Sequence, residues 1–157
     1  MSFFYSHTNF HVYNALAKII GVDRRTNSHL FIKENIPSPL WYNMNYELCF
    51  DKNTKKFCPV PVKVLSSEDS DSTIDKYNKS SIKSSPRHIQ HVAIKLHNPR
   101  QHYFIINGET KLNHYRELES HSLKCEGYKV IDLDSEEFKN MSQRGKAVSY
   151  LSELIIK

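Results

Sequence analysis

The stretch that most restricts the fold lies between His91 and Leu133. His91-Val-Ala-Ile-Lys-Leu and Tyr128-Lys-Val-Ile-Asp-Leu are short apolar-rich runs of strand length, and the residues between them carry a helical pattern. Strands joined through a helix pair in parallel, because an antiparallel neighbour needs only a tight turn. The helix is expected from Thr110 to about Glu126, with Leu112, Tyr115, Leu118, Ser122 and Leu123 on one face and Gly127 as its stop. Ahead of it, His102-Tyr-Phe-Ile-Ile reads as another strand and Asn107-Gly108 as a turn. Beyond it, Ser135 is expected to cap a last helix, with Glu136 and Glu137 in the first turn, where the dipole favours anions. Phe138, Met141, Val148, Leu151 and Ile155 form its inward face. The order β-β-α-β-α predicts an α/β fold of three layers, a mixed sheet flanked by helices.

Upstream, His11–Ile20 reads as a short helix, with Val12, Leu16, Ile19 and Ile20 in one stripe and Gly21 as its end. Pro37 and Pro39 break helix, and Tyr46, Leu48 and Phe50 alternate as in a strand. Asp51-Lys-Asn-Thr makes a hairpin turn, and the return through Phe57, Pro59 and Pro61 belongs on a sheet edge. Residues 65–87 are dominated by serine and charge and read as a disordered linker or long surface loop. The chain thus divides into 1–64, a linker at 65–87, and 88–157.

With four glycines in 157 residues there is no GxGxxG and no GxxxxGK[ST], which excludes the usual dinucleotide and P-loop cradles, and no HRD or DFG set, which excludes a protein kinase. Cys49, Cys58 and Cys125 form neither a disulfide framework nor a zinc knuckle, so a reducing compartment is expected. No apolar run nears the roughly 20 residues that span a bilayer, so no membrane partner is expected. The N-terminal residues resemble neither a secretory signal nor an Arg- and Ser-rich transit peptide. The net charge of +5 is concentrated early: residues 1–64 carry eight Lys/Arg against four Asp/Glu, and 88–157 carry ten against nine. That excess is compatible with a phosphate backbone.

The string AIKLHNPRQHYF (93–104), with Gly108, Gly127-Tyr128-Lys129-Val130 and Phe138, resembles a RAP domain over roughly residues 91–155. Such domains close proteins of the FAST kinase family and many apicomplexan and plant organellar proteins. The preceding NALAKIIG and MNYELCFDKNTKKFCPVPV are similar to the FAST-type segment found just before that domain; Glu47 and Asp51 fit it, and Asn45 stands where an acid is usual. The resemblance implies a module working on mitochondrial transcripts in the matrix, with nuclear or cytoplasmic placement as alternatives, and protein partners in RNA granules. It also implies that the chain is a fragment or a reduced relative, since the family carries helical arrays upstream. The fold it implies is restriction-endonuclease-like, that of PD-(D/E)xK nucleases, which seat a metal between acids on adjacent strands.

Such a nuclease needs carboxylates for Mg²⁺ and a lysine to polarise the attacking water. Glu47 and Asp51 are the catalytic candidates, yet Lys95 and His97 occupy the second strand where acids are expected. A cation there removes a ligand and repels the ion, by roughly 4 kcal/mol at about 4 Å and an effective dielectric of 20. The expectation is therefore a non-catalytic RNA-binding module with no metal and no cofactor, Mg²⁺ entering only if the chain cleaves. Lys95, His97, Arg100, His102, Lys111 and Arg116 are the expected RNA-binding residues, with Lys124 and Lys129 extending the patch and Tyr103 or Tyr115 stacking on bases. A metal-dependent RNA endonuclease and a protein-interaction module are the alternatives. His88 and His91 lack a third ligand and are expected at the surface; Trp41 and Tyr42 are expected to pack against the domain or to offer an aromatic platform.

Overall fold

Sequence alternation and helical periodicity set the elements of the computed structural model, which describes residues 3–23, 27–37, 43–61, 85–98 and 103–157. A long helix α1 (Phe3–Ile20) opens the fold, followed by a single turn α2 (Ser28–Phe31) and strands β1 (Lys33–Pro37), β2 (Asn43–Asp51) and β3 (Lys56–Cys58). Next come β4 (Ile89–His97), β5 (Tyr103–Ile106), β6 (Glu109–Leu112), α3 (His114–Cys125), β7 (Lys129–Asp134), α4 (Ser135–Gln143) and α5 (Ala147–Ile156).

The first helix begins eight residues earlier than the His11 start read from its apolar stripe, and it ends where expected. Gly21 takes φ +81°, a conformation that costs a residue without Cβ little, and both Gly21 and Val22 donate to the Ala17 carbonyl. β1 is not legible in the sequence, because Pro37 and Pro39 mask it. Its last residue, Pro37, is tolerable because β1 is an edge strand, bonded only to β2.

The sheet runs β1-β2-β4-β7, with β3 continuing the same outer edge of β2 that β1 occupies. β1, β3 and β4 are antiparallel to β2, and β7 is parallel to β4, so the sheet is mixed. Tyr46↔Ile94 through Asp51↔Ile89 pair across β2 and β4, so the N-terminal hairpin and the C-terminal portion share one sheet. Residues 62–84, most of the expected linker, lie outside the described residues.

One sheet face is apolar. Tyr46, Leu48, Val92, Ile94, Leu96, Ile131 and Leu133 pack with Val12 and Leu16 of α1, Phe138 of α4, and Leu151 and Ile155 of α5. The Tyr46 hydroxyl, donating to the Asn9 carbonyl at 2.9 Å, fastens α1 to β2. α3 covers the other face, where Leu123 meets Ala93, Tyr128 and Val130. Helices therefore lie on both sides of the sheet.

Three sequence expectations need correction. Thr110–Leu112 belong to β6, not to the helix; β5 and β6 form their own hairpin, and Asn107 and Gly108, both left-handed at φ 53° and 79°, make its turn. Asn113 caps α3 instead, its side chain accepting from the Tyr115 amide. The last helix is two: Gly145 at φ +69° and the Lys146 amide bonded to the Met141 carbonyl end α4, and α5 restarts at Ala147. The N-cap of α4 is Asp134, accepting from the Glu136 and Glu137 amides, rather than Ser135.

Candidate functional site

Alternation along β2, β4 and β7 puts Glu47 and Cys49, then His91, Ala93, Lys95 and His97, then Val130 and Asp132 on the face under α3. That face is polar, and it is buried. A charged group inside a protein must find a partner or the fold loses several kcal/mol. Here the buried charges do.

Lys95 is 1% exposed and its ammonium donates to the carboxylate of Glu119 on α3. Arg116, one turn earlier, brings a guanidinium nitrogen to 3.6 Å of the same carboxylate. His97, 0% exposed, bonds through Nε2 to Oδ1 of Asp132 at 2.6 Å, and the Ser120 hydroxyl donates to that same oxygen at 2.7 Å. Burial pushes the Asp132 carboxyl upward, but bonds from His97 and Ser120 and the charges of His97 and Lys95 outweigh it and hold it below the usual range. A depressed carboxyl adds stability above its unfolded value of about 3.9, and this is lost as pH falls through the lower folded value. Acid titration of wild type against Asp132→Asn is expected to show the wild type losing its advantage below about pH 4. Parallel stability curves in that range would contradict this account of Asp132.

His91 makes a third polar cluster. Its Nδ1 lies 2.9 Å from Oε1 of Glu47, its Nε2 2.7 Å from Oγ of Ser85, and the Cys49 sulfur is 3.4 Å from Nδ1. With the carboxylate as acceptor Nδ1 carries hydrogen, and in the neutral tautomer that leaves Nε2 to accept from the Ser85 hydroxyl. That is the atom order of a hydroxyl-activating relay. Acyl transfer also needs donors for the developing oxyanion, and Pro86, directly after Ser85, supplies no N–H. The His91 ring is buried, the whole residue 1% exposed, and it meets Tyr128 edge-on at 6.0 Å. The cluster therefore reads as a clamp that ties residue 85 to the sheet. Burial, with Glu47 close by, pushes the Cys49 thiol well above the ordinary range, so it stays protonated and inert.

The sequence-derived residues thus separate. Lys95 and His97 share one face, as their spacing requires, but beneath α3 and paired with acids rather than on an exposed patch. His91 is interior, not at the surface as expected. Glu47 serves His91, and Asp51 accepts from the Asn53 and Thr54 amides at 2.9 and 3.3 Å, closing the β2–β3 turn. Four residues of strand put their Cα atoms about 13 Å apart, and each carboxylate is already engaged by its own partner. Lys95 adds a positive charge on the same face. The residues present do not fit a magnesium centre built on Glu47 and Asp51. Among the described residues, no group of three or more His, Cys, Asp or Glu is arranged to hold a metal.

Lys111 is exposed at the end of β6, and Tyr115, at 63% exposure, opens α3 beside the half-buried Arg116. Arg100, His102, Trp41 and Tyr42 lie outside the described residues. Sequence reasoning missed Glu119, Ser120, Asp132 and Ser85. The signal for the first and third was Lys95 and His97 themselves, polar groups inside a strand too apolar to face water. No helix of the described residues is long and apolar enough to cross a membrane. No family model matches the chain, and no curated protein or solved structure matches it.

Proposed function

We propose that this chain is a non-catalytic RNA-binding module of the RAP type, with a restriction-endonuclease-like fold whose metal pocket has become a buried ion-pair layer, and that it serves mitochondrial transcripts. One observation carries the reading: the ammonium of Lys95 pairs with Glu119 on the sheet face where the resemblance would put magnesium. A nuclease ancestor would use its acids to hold a divalent ion. Here Lys95 pairs with Glu119, and His97 and Ser120 occupy Asp132.

RNA contact then falls to the rim of α3. Lys111 offers a charge to phosphate, and Tyr115 exposes a ring on which an unpaired base can stack. Arg116 lies in the same turn of helix, and Arg100 and His102 belong to the segment leading into β5. Exposed Ile105 and Leu118 favour the second reading, a protein partner docking near the hairpin.

A gel shift with single-stranded RNA over a salt series separates the two. Phosphate contacts give a log–log slope of about −0.7 per neutralised charge. Lys111→Glu with Tyr115→Ala is expected to lower affinity by about tenfold or more, stacking alone being worth about 1–3 kcal/mol per base. Unchanged binding in that variant, or a flat salt response, would leave the RNA reading without support. Charge reversal at Lys95 or His97 cannot serve as this test, because it would measure folding.

A further inference from the structure

The geometry points to a second binding site, for the phosphate end of a single nucleotide, at the edge of the sheet where β4 and β7 begin. An open groove of about 360 Å³ lies there, with Lys52, Lys124, Lys129 and Lys157 in its lining. The four come from distant places: the β2–β3 turn, the last turn of α3, the first residue of β7, and the residue after α5. Among the described residues, no Asp or Glu lines the groove.

The lack of an acidic side chain sets these lysines apart from Lys95. A buried charge is cancelled by a partner, whereas lysines that line one concavity with no acidic side chain among them raise its potential. Lys129 also has a structural role, donating to the Ile155 carbonyl at 2.5 Å, at the negative end of α5. Lys52 and Lys124 are exposed and belong to the lining. An anion entering the groove is attracted by that potential, and a phosphate accepts from more than one ammonium donor at once.

The rest of the lining narrows the ligand class. Phe50, Val92 and Ile155 give the groove an apolar floor. Its volume sits at the low end of the roughly 300–1,000 Å³ typical of small-ligand sites, room for one nucleotide and not for a strand. A ligand anionic at one end and flat and apolar at the other matches both features. A nucleoside monophosphate does so, whether free or as the 5′-terminal residue of an RNA. This site does not depend on the RNA reading and is separate from the Lys111–Tyr115 rim, since Lys124 follows Arg116 by about 12 Å along the helix axis.

Backbone amide shifts during titration of the whole chain test the proposal, with adenosine 5′-monophosphate as ligand and adenosine at matched ionic strength as control. Adenosine monophosphate is expected to move the amides of Lys52, Gln90, Gly127 and Lys129, and adenosine to leave them in place. Lys52→Glu with Lys124→Glu is expected to weaken binding by at least about tenfold, and the neutralising pair Lys52→Gln with Lys124→Gln by less, since reversal adds repulsion to the lost attraction. An unshifted melting temperature shows that each variant is folded. Short RNAs with and without a 5′-phosphate separate the sources: selective binding of the phosphorylated one makes the ligand an RNA end, and binding of the mononucleotide alone makes it free nucleotide. Shifts scattered elsewhere, equal responses to adenosine and its monophosphate, or wild-type binding by the double Glu variant would overturn the site. Loss of binding to RNA without a 5′-phosphate, with the mononucleotide response intact, would instead count against the Lys111–Tyr115 reading.

Discussion

Lys95→Met is expected to cost about 3–5 kcal/mol of folding stability, while Lys95→Met combined with Glu119→Leu is expected to return most of it. The single change leaves the Glu119 carboxylate under α3 without its main partner, and an uncompensated buried charge is among the most costly defects a core can hold. Arg116 at 3.6 Å offsets part of that, so Lys95→Met with Arg116→Ala should be worse than the sum of the two. The double apolar replacement removes both desolvation penalties together, and such swaps are often neutral or stabilising. Urea denaturation with an unchanged slope would report the differences as shifts in midpoint. A domain of this size has only about 5–15 kcal/mol to lose, so the single variant should unfold far earlier. A cost below about 1 kcal/mol for Lys95→Met would mean a solvated lysine, and would restore the exposed cationic patch that the sequence alone suggests.

That contrast shows what residue order reveals and what it withholds. The strand runs at 91–96 and 128–133, the helix between them and the parallel pairing all follow from periodicity, and β4 and β7 pair in parallel as expected. Periodicity does not supply the depth of β4. A strand flanked by neighbours on both edges and covered by helices on both faces turns most of its residues inward, as β4 does from His91 to His97, and a short sequence pattern does not reveal how many neighbours a strand has. Side-chain chemistry alone puts His91, Lys95 and His97 at the surface, yet their position around Val-Ala-Ile-Lys-Leu already requires buried acids. The acids of Lys95 and His97 sit 24 and 35 residues away, on α3 and β7, a separation no local pattern encodes. The lysine groove is hidden for the same reason. Its four cations are spread from residue 52 to residue 157, and only the closing of the sheet against α3 and α5 gathers them. Lys124 and Lys129, expected as outposts of a Lys95 patch, belong to that groove instead.

Phe138→Ala should be the most damaging apolar truncation in the C-terminal part, at about 3–5 kcal/mol. Phe138 is 0% exposed and belongs to the same cluster as Leu16 of α1, Leu133 of β7 and Leu151 of α5. Its position follows from the cap: Asp134 ends β7 and holds the Glu136 and Glu137 amides, which fixes the entry angle of α4 and points the next residue at the sheet. Removing the ring deletes buried area and leaves a cavity that the neighbouring strand cannot collapse to fill, because β7 is held by its pairing to β4 from Val92↔Lys129 to His97↔Asp134. Phe138→Leu keeps much of the volume and should cost about 1 kcal/mol, with a melting temperature close to wild type. The loss has a functional reach as well. α4, α5 and α1 together form the layer behind the sheet, and α5 carries Ile155, which receives the Lys129 bond at the groove. Loosening that layer should therefore weaken the proposed mononucleotide binding at the groove more than the proposed RNA binding at Lys111 and Tyr115, which lie at the end of β6 and the start of α3. Thermal unfolding alongside the two binding assays would show it, and equal losses at both sites would mean that Phe138 supports the fold as a whole and not this one layer.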